Sequence, residues 1–226
     1  MTTTDLAHWQ PCPLPPHEPL AGRFVSLEPL DATRHAAELW AALQTPPADP
    51  QQWQYMAYGP FAARAEFDAW LEGIAAGRDP LFFAVREQAS GRVVGQLSLM
   101  RITPAHGSIE IGHVLFAPLM QRTPGATEAI YLLARLVFEL GYRRLEWKCD
   151  ANNARSRRAA ERLGFVAEGL FRQHLVVKGR NRDTAWYAML DHEWPRCREA
   201  FERWLAADNF DAEGRQRRGL VELREG

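Results

Sequence analysis

Ser108-Ile109-Glu110-Ile111-Gly112-His113-Val114-Leu115-Phe116, followed closely by Gln121-Arg122-Thr123-Pro124-Gly125-Ala126-Thr127, is the stretch that decides the fold. The first nine residues read as a strand. The second group is a small-residue loop opening a helix, with Ala129, Ile130, Leu133, Leu136, Val137 and Leu140 at helical spacing and Gly141 as its stop. Thr123 is placed to cap that helix, and Pro124 suits its first position because the missing N–H has no partner there anyway. A helix start fed by a strand leaves backbone N–H groups unpaired at the positive end of the helix dipole. The amides of Gly125, Ala126 and Thr127 are therefore an expected seat for a diphosphate. A second strand (Arg144-Leu145-Glu146-Trp147-Lys148-Cys149) follows, then Asp150, Asn152-Asn153 and a basic helix closing on Leu163-Gly164-Phe165.

Working outward, Phe24 to Glu28 alternates as a half-buried strand. Asp31 is an N-cap candidate for a helix that Pro46-Pro47 ends. Trp53, Tyr55, Met56, Tyr58 and Phe61 form an aromatic loop, and Ala65 to Ala76 reads as a helix stopping at Gly77. Leu81 to Val85 and Val93 to Leu99 predict a hairpin turning at Gln88-Ala89-Ser90-Gly91, so that three consecutive strands pair antiparallel. Two further strands, Phe165 to Val177 and Asp183 to Leu190, turn at Gly179-Arg180-Asn181. The predicted organisation is a proline-rich arm (1–21), one mixed α/β domain (22–194) and a C-terminal helical extension (195–226). Asp211 to Gly226 is expected to fray.

Composition excludes more than it selects. Hydrophobic residues at 46% and charged residues at 24% are ordinary for a globular chain. A net charge of −1 gives no general attraction to nucleic acid or to anionic membranes. No apolar run approaches the ~18 residues of a membrane span. Cys12, Cys149 and Cys197 are scattered without metal spacing, which suits a reducing cytoplasm. Neither a metal nor a nucleic-acid or membrane partner is expected.

The order strand, loop, helix, strand, helix resembles the acyl-CoA-binding half of the GNAT superfamily of N-acetyltransferases, closest to the branch containing the ribosomal-protein alanine N-acetyltransferases. The family's loop pattern is Gln/Arg-x-x-Gly-x-Gly/Ala. Gln121 and Ala126 match its ends, Pro124 takes the first glycine position, and the glycine falls one place later at Gly125. Asn153-x-x-Ser156, with Glu161-Arg162-Leu163-Gly164-Phe165, is similar to the family's segment beside the CoA thiol. Many members carry a proton-donating tyrosine where this chain has Ala160. The resemblance instead implies Ser156 as donor to the leaving thiolate. Glu110 resembles the glutamate of the Glu-x-Gly-Tyr strand and is the leading general base. His113 takes the tyrosine's place, and His113, His106 and His174 are alternative bases.

The resemblance further implies an α/β (α+β) fold with a mixed, mostly antiparallel central sheet, splayed between two strands at the acyl-CoA site and carrying helices on both faces. Backbone amides at Leu115 and Phe116 are expected to polarise the thioester carbonyl. Gln121, Arg122, Thr123, Gly125, Ala126, Thr127, Asn153, Ser156 and Arg158 are expected to hold the cofactor, with Arg155 open and Arg162 read as a solvated helix face. Asp183 and Tyr187 either line the acceptor pocket or fill core space. Leu175 stands where the ribosomal-protein branch has a glutamate, which argues against that acceptor. Cys149 is expected to be buried and inert. The implied activity is acetyl transfer from acetyl-CoA to a small-molecule amine or a peptide N-terminus, directly in a ternary complex. The alternative is a catalytically silent acyl-CoA-binding module. A homodimer through the 194–205 segment stays open.

Overall fold

In the computed structural model, which describes residues 6–226, the chain builds one eight-stranded sheet. In chain order the elements are β1 (Leu20–Ala21), β2 (Val25–Pro29), α1 (Ala32–Gln44), α2 (Arg64–Ala75), β3 (Leu81–Glu87), β4 (Val93–Thr103), β5 (Ser108–Phe116), α3 (Pro124–Glu139), β6 (Arg144–Asp150), α4 (Ala154–Leu163), β7 (Val166–Val177), β8 (Arg180–Leu190), α5 (Trp194–Leu205) and α6 (Leu220–Glu225). The strand order is β1-β2-β3-β4-β5-β6-β8-β7. Every pairing is antiparallel except β5 with β6. That one parallel step is the crossover that α3 makes possible.

The two sheet faces have different covers. Ile109, Ile111, Leu145, Trp147, Cys149, Tyr187 and Met189 face the larger core with α3, α4 and α5. Phe82, Ala84, Val93, Leu115 and Ala117 face a second cluster made by α1, α2 and Trp53. Helix α3 is buried on almost every side, from Gly125 to Ala134 and again at Val137, because α5 covers what the sheet does not. Tyr131 packs on Trp194 and Phe201, and Phe138 stacks on Trp194 with ring centroids 5.0 Å apart.

Asp31 caps α1 by accepting the Arg34 N–H, and Thr123 caps α3 by accepting that of Ala126, as read from the sequence. The arm from residue 6 to Pro19 forms no helix or strand, and its first five residues lie outside the described chain. It is strapped down: Trp9 Nε1 donates to Ala105 O, Cys12 N to Pro104 O, and Tyr142 OH to Pro13 O.

The C-terminal expectation needs correction. Residues 211–226, expected to fray, form an ordered turn with a Phe210–Gln216 bridge and then α6. Trp194, Cys197, Phe201, Trp204, Leu220 and Leu223 all belong to the main core. The charges misled because they lie on the outer side, while Leu220 and Leu223 sit at i, i+3 and face inward. Arg224 then donates to the carbonyls of Arg162 and Glu161, fixing the end of α4. At the edge of the sheet β7 is exposed along almost its whole length, Val176 included at 81%.

A buried carboxylate joins the two halves. Glu128, 4% exposed, accepts N–H groups of Arg23 (2.8 Å), Phe24 (2.6 Å) and Val25 (2.8 Å), tying the first turns of α3 to the start of β2. A Cβ on residue 22 would fall 2.5 Å from that carboxylate, which explains Gly22. Glu128→Ala strips three backbone donors of their acceptor. It should cost about 3 kcal/mol or more in chemical denaturation, since each orphaned buried donor is worth about 1–3 kcal/mol.

Candidate active site

The site begins where two strands part. The parallel pairing of β5 with β6 runs from Ser108↔Arg144 to Ile111↔Trp147 and stops. Beyond it β5 follows β4 to Phe116, while β6 follows β8 to Asp150. The cause is an extra residue in β5: the ladder with β4 goes from Ser98↔Gly112 to Gln96↔Leu115, so three steps on β5 face two on β4. His113 takes the bend at φ 52°, a region that few residues other than glycine enter.

The divergence turns backbone toward the gap. Ala117 N–H donates to Val94 O at 2.8 Å, and alternation along an antiparallel ladder then aims Leu115 at β4 and Phe116 at the gap. The Gln121 side-chain Nε2 donates to Phe116 O at 3.0 Å. Of the two amides expected to face the gap, Phe116 does so. Leu115 does not, because the bulge resets the alternation.

The loop after β5 delivers the α3 N-terminus. Its amides are less free than the sequence reading had them. Gln121 N–H bonds Ala117 O, Thr123 N–H bonds Met120 O, and Ala126 N–H bonds the Thr123 hydroxyl at 3.3 Å. Among the described residues Gly125 N–H has no partner outside the helix. Gly125 is small for a second reason: a Cβ there would lie 2.9 Å from Val25 Cγ1, so the glycine admits the core. Thr127 is 4% exposed, and its hydroxyl accepts Arg162 Nη1 at 3.0 Å. Arg162 is not a solvated face residue. Its guanidinium sits 4.9 Å over the Trp204 ring and ties α4 to the start of α3. Arg122, Arg155 and Arg158 are exposed and have no carboxylate partner among the described residues.

On the α4 side of the gap, Asn153 Oδ1 accepts the Ser156 N–H at 3.1 Å and caps the helix. Ser156 Oγ accepts the Trp147 indole N–H at 3.0 Å. That bond occupies a lone pair of the oxygen, and the hydroxyl stands beside the Cys149 thiol. Burial pushes the neighbouring Cys149 thiol upward, so it stays protonated. Tyr187 is 1% exposed, joined to Arg157 and Glu161, and faces the core instead of an acceptor pocket.

On the opposite face, Glu110 is 3% exposed. Its Oε2 takes Arg101 Nη1 at 2.8 Å and Lys148 Nζ at 2.9 Å, while Lys148 also reaches Glu146 at 2.6 Å and lies 3.8 Å over the Trp186 ring. Glu110 Oε1 has no such partner among the described residues. It points along the strand, since a Cβ on Gly112 would sit 3.6 Å from it. Lys148 was not singled out from the sequence, because only the register Glu110↔Glu146 brings the two strands' charges together.

His113 stands at the bend. Its Nδ1 shares a hydrogen bond with the Tyr58 hydroxyl at 2.9 Å, and its ring packs on Phe82 and Tyr58. Burial, aided by the nearby Arg101 charge, lowers its pKa from 6.5 to about 4, and burial raises that of Tyr58. Tyr58 stacks in turn with Trp70, within the cluster of Trp53 and Phe61. The aromatic loop thus lies against the bend. The fully buried Gln96 carboxamide lies on the same face, beside Tyr58. His174 meets Thr184 Oγ1 at 3.0 Å, and His106 lies in the turn between β4 and β5, at the far end of β5 from the bend.

The chain that builds this divergence is similar to known proteins. A family model described as "Acetyltransferase (GNAT) domain" matches residues 25–166. The chain belongs to the GNAT family of N-acetyltransferases. A GCN5-related N-acetyltransferase from Brucella melitensis superposes with a TM-score of 0.94 at 52% identity, over 96% of this chain and 99% of that one. A probable GNAT-family acetyltransferase from Chromobacterium violaceum gives 0.80 at 45% identity, over 86% and 97%. "Putative ribosomal N-acetyltransferase YdaF" of Bacillus subtilis is 31% identical over 105 residues, 46% of this chain, and the match spans only 57% of that protein.

The neutral His113 makes a pH prediction. Its folded pKa lies below its unfolded one, so the unfolded chain binds the extra proton. The stability this histidine permits is present above pH 6.5 and is lost as pH falls toward 4. His113→Asn, chosen because asparagine tolerates positive φ, should flatten the fall of Tm between those limits.

Proposed function

We propose that the protein is an acetyl-CoA-dependent N-acetyltransferase that transfers acetyl directly to a primary amine in a ternary complex, the acceptor being a small molecule or a peptide N-terminus. The observation that carries this reading is the gap between β5 and β6 beyond Ile111 and Trp147. Acetyl-CoA supplies an activated acetyl thioester. A solved structure of similar fold, MccE, was determined with acetyl-CoA and AMP bound, at 20% identity and a TM-score of 0.66.

The chain's own residues divide the work by face. The Phe116 N–H faces the gap, while its C=O already accepts the Gln121 side chain. The Gly125 N–H and the α3 dipole, with Arg122 and Arg158, suit the diphosphate. The same Phe116 N–H is placed to polarise a carbonyl, and one such donor is worth about 10²–10³ in rate. Ser156, with its oxygen fixed by Trp147, gives its proton to the departing thiolate. Glu110 Oε1 takes the ammonium proton, directly or through water, while Arg101 and Lys148 hold Oε2 and so fix the carboxylate plane.

Millimolar CoA or acetyl-CoA should raise Tm by mass action. A screen of acetyl-CoA turnover against pooled amines and N-terminal peptides, read by mass spectrometry, should give a product heavier by one acetyl group. CoA binding without turnover of any amine would favour the silent module instead.

Glu110→Gln and Ser156→Ala should each lower kcat by about 10²–10⁴ with near-normal acetyl-CoA affinity. Alkaline pH should partly rescue Glu110→Gln, because a neutral amine needs no base. Full activity of Glu110→Gln at every pH would transfer the base to His113, His174 or a water chain.

A further inference from the structure

Three elements meet beyond the end of the diverging β6: the aromatic loop, the 150–152 turn and the tip of the β7–β8 hairpin. They enclose a cleft of about 490 Å³ lined by Tyr55, Asp150, Asn152, Lys178, Arg180 and Arg182, with their neighbours. That volume is in the range of small-ligand sites, about 300–1,000 Å³. Tyr55 OH donates to Asn152 O at 3.1 Å, and Lys178 Nζ donates to the carbonyls of Trp53 (2.9 Å) and Gly59 (2.5 Å). The hairpin is thereby clasped to the loop.

Its charge is unbalanced. The lining carries three cations and a single carboxylate, Asp150, whose Oδ1 already accepts the Asn152 N–H at 2.8 Å. None of Lys178, Arg180 and Arg182 is in an ion pair among the described residues. Arg182 Nε is shielded from solvent and has no acceptor among the described residues. Shielded donors nearly always have partners, so an empty one beside a cavity marks where an acceptor atom belongs. A guanidinium selects oxyanions, carboxylate or phosphate, that can take two of its N–H groups.

The cleft also lies on the face that matters. Glu146, Lys148 and Asp150 alternate along β6, and Arg182, Thr184 and Trp186 along β8, on the same face as Glu110. Asp150 is three residues past Trp147, where β5 and β6 part, or about 10 Å along the strand. We infer that this cleft binds an anionic group of the acceptor, so that the substrate is a primary amine carrying a carboxylate or phosphate several bonds from its nitrogen. The inference rests on the acetyltransferase reading for the word acceptor, but the anion site stands on the cleft alone.

The test is calorimetric titration of CoA-saturated protein with two matched pairs: 5′-AMP against adenosine, and L-alanyl-L-alanine against its C-terminal amide. At least one anionic member should bind where its neutral partner does not, and the responding pair distinguishes phosphate from carboxylate. Arg180→Gln and Arg182→Gln should each weaken that binding by about tenfold, with CoA affinity unchanged. Arg182→Lys should lose less. Arg180 is exposed at the turn, so its variant tests the site even if Arg182→Gln misfolds. Equal binding of charged and neutral members would overturn the inference. So would variants that weaken CoA and not the probes, which would assign the cleft to the phosphates of CoA. Anion binding in a protein that binds no CoA would sink the acetyltransferase reading and leave the cleft standing.

Discussion

The fold turns on one residue too many in β5. A parallel pair of strands stays closed as long as each has a matching ladder on its other side, and β5 loses that match at His113. The chain meets the mismatch by bending there at positive φ, and β5 leaves β6. What makes this tolerable is the packing around the bend. Tyr58 holds the imidazole, Phe82 lies beneath it, and the cost of burying a charge keeps the ring neutral. A strained backbone persists only where its surroundings over-determine it.

A second set of contacts keeps the gap from becoming a hinge. Glu128 ties α3 to β2, Arg162 ties α4 to α3, and Arg224 ties α6 to α4. Each uses a charged side chain on backbone or hydroxyl partners, so the helices flanking the gap are fixed relative to one another as well as to the sheet. Arg162 and Glu128 look like surface residues on a helical wheel. Glu128 is interior because the Gly22–Val25 backbone closes over it, and Arg162 is half-buried because Trp204 of α5 and Arg224 of α6 lie against it.

The strand and helix order was legible because apolar period and caps act locally. Asp31, Thr123 and Pro124 stand where their side chains or missing N–H predict. Charge pairing was not legible, since Glu110, Lys148 and Glu146 meet only once the parallel register is known. The C-terminal tail was misread because its sequence is dominated by the outward side of a helix. The loop from Gln121 to Thr127 was placed correctly as a helix start. How many of its amides are free depends on turn bonds within 117–123 that the sequence does not display.

The stretch that matches the family, residues 25–166, contains the bulge, the gap, the capped start of α3 and α4. The β7–β8 hairpin that closes the far cleft lies almost wholly outside it, held to the rest by Lys178 and by its ladder with β6. The gap and the cleft are therefore written in separate lengths of one chain. Substitutions at the hairpin tip can redraw the surface opposite the gap while every hydrogen bond that makes the gap stays in place. A protein built this way can acquire a new clientele without relearning its chemistry.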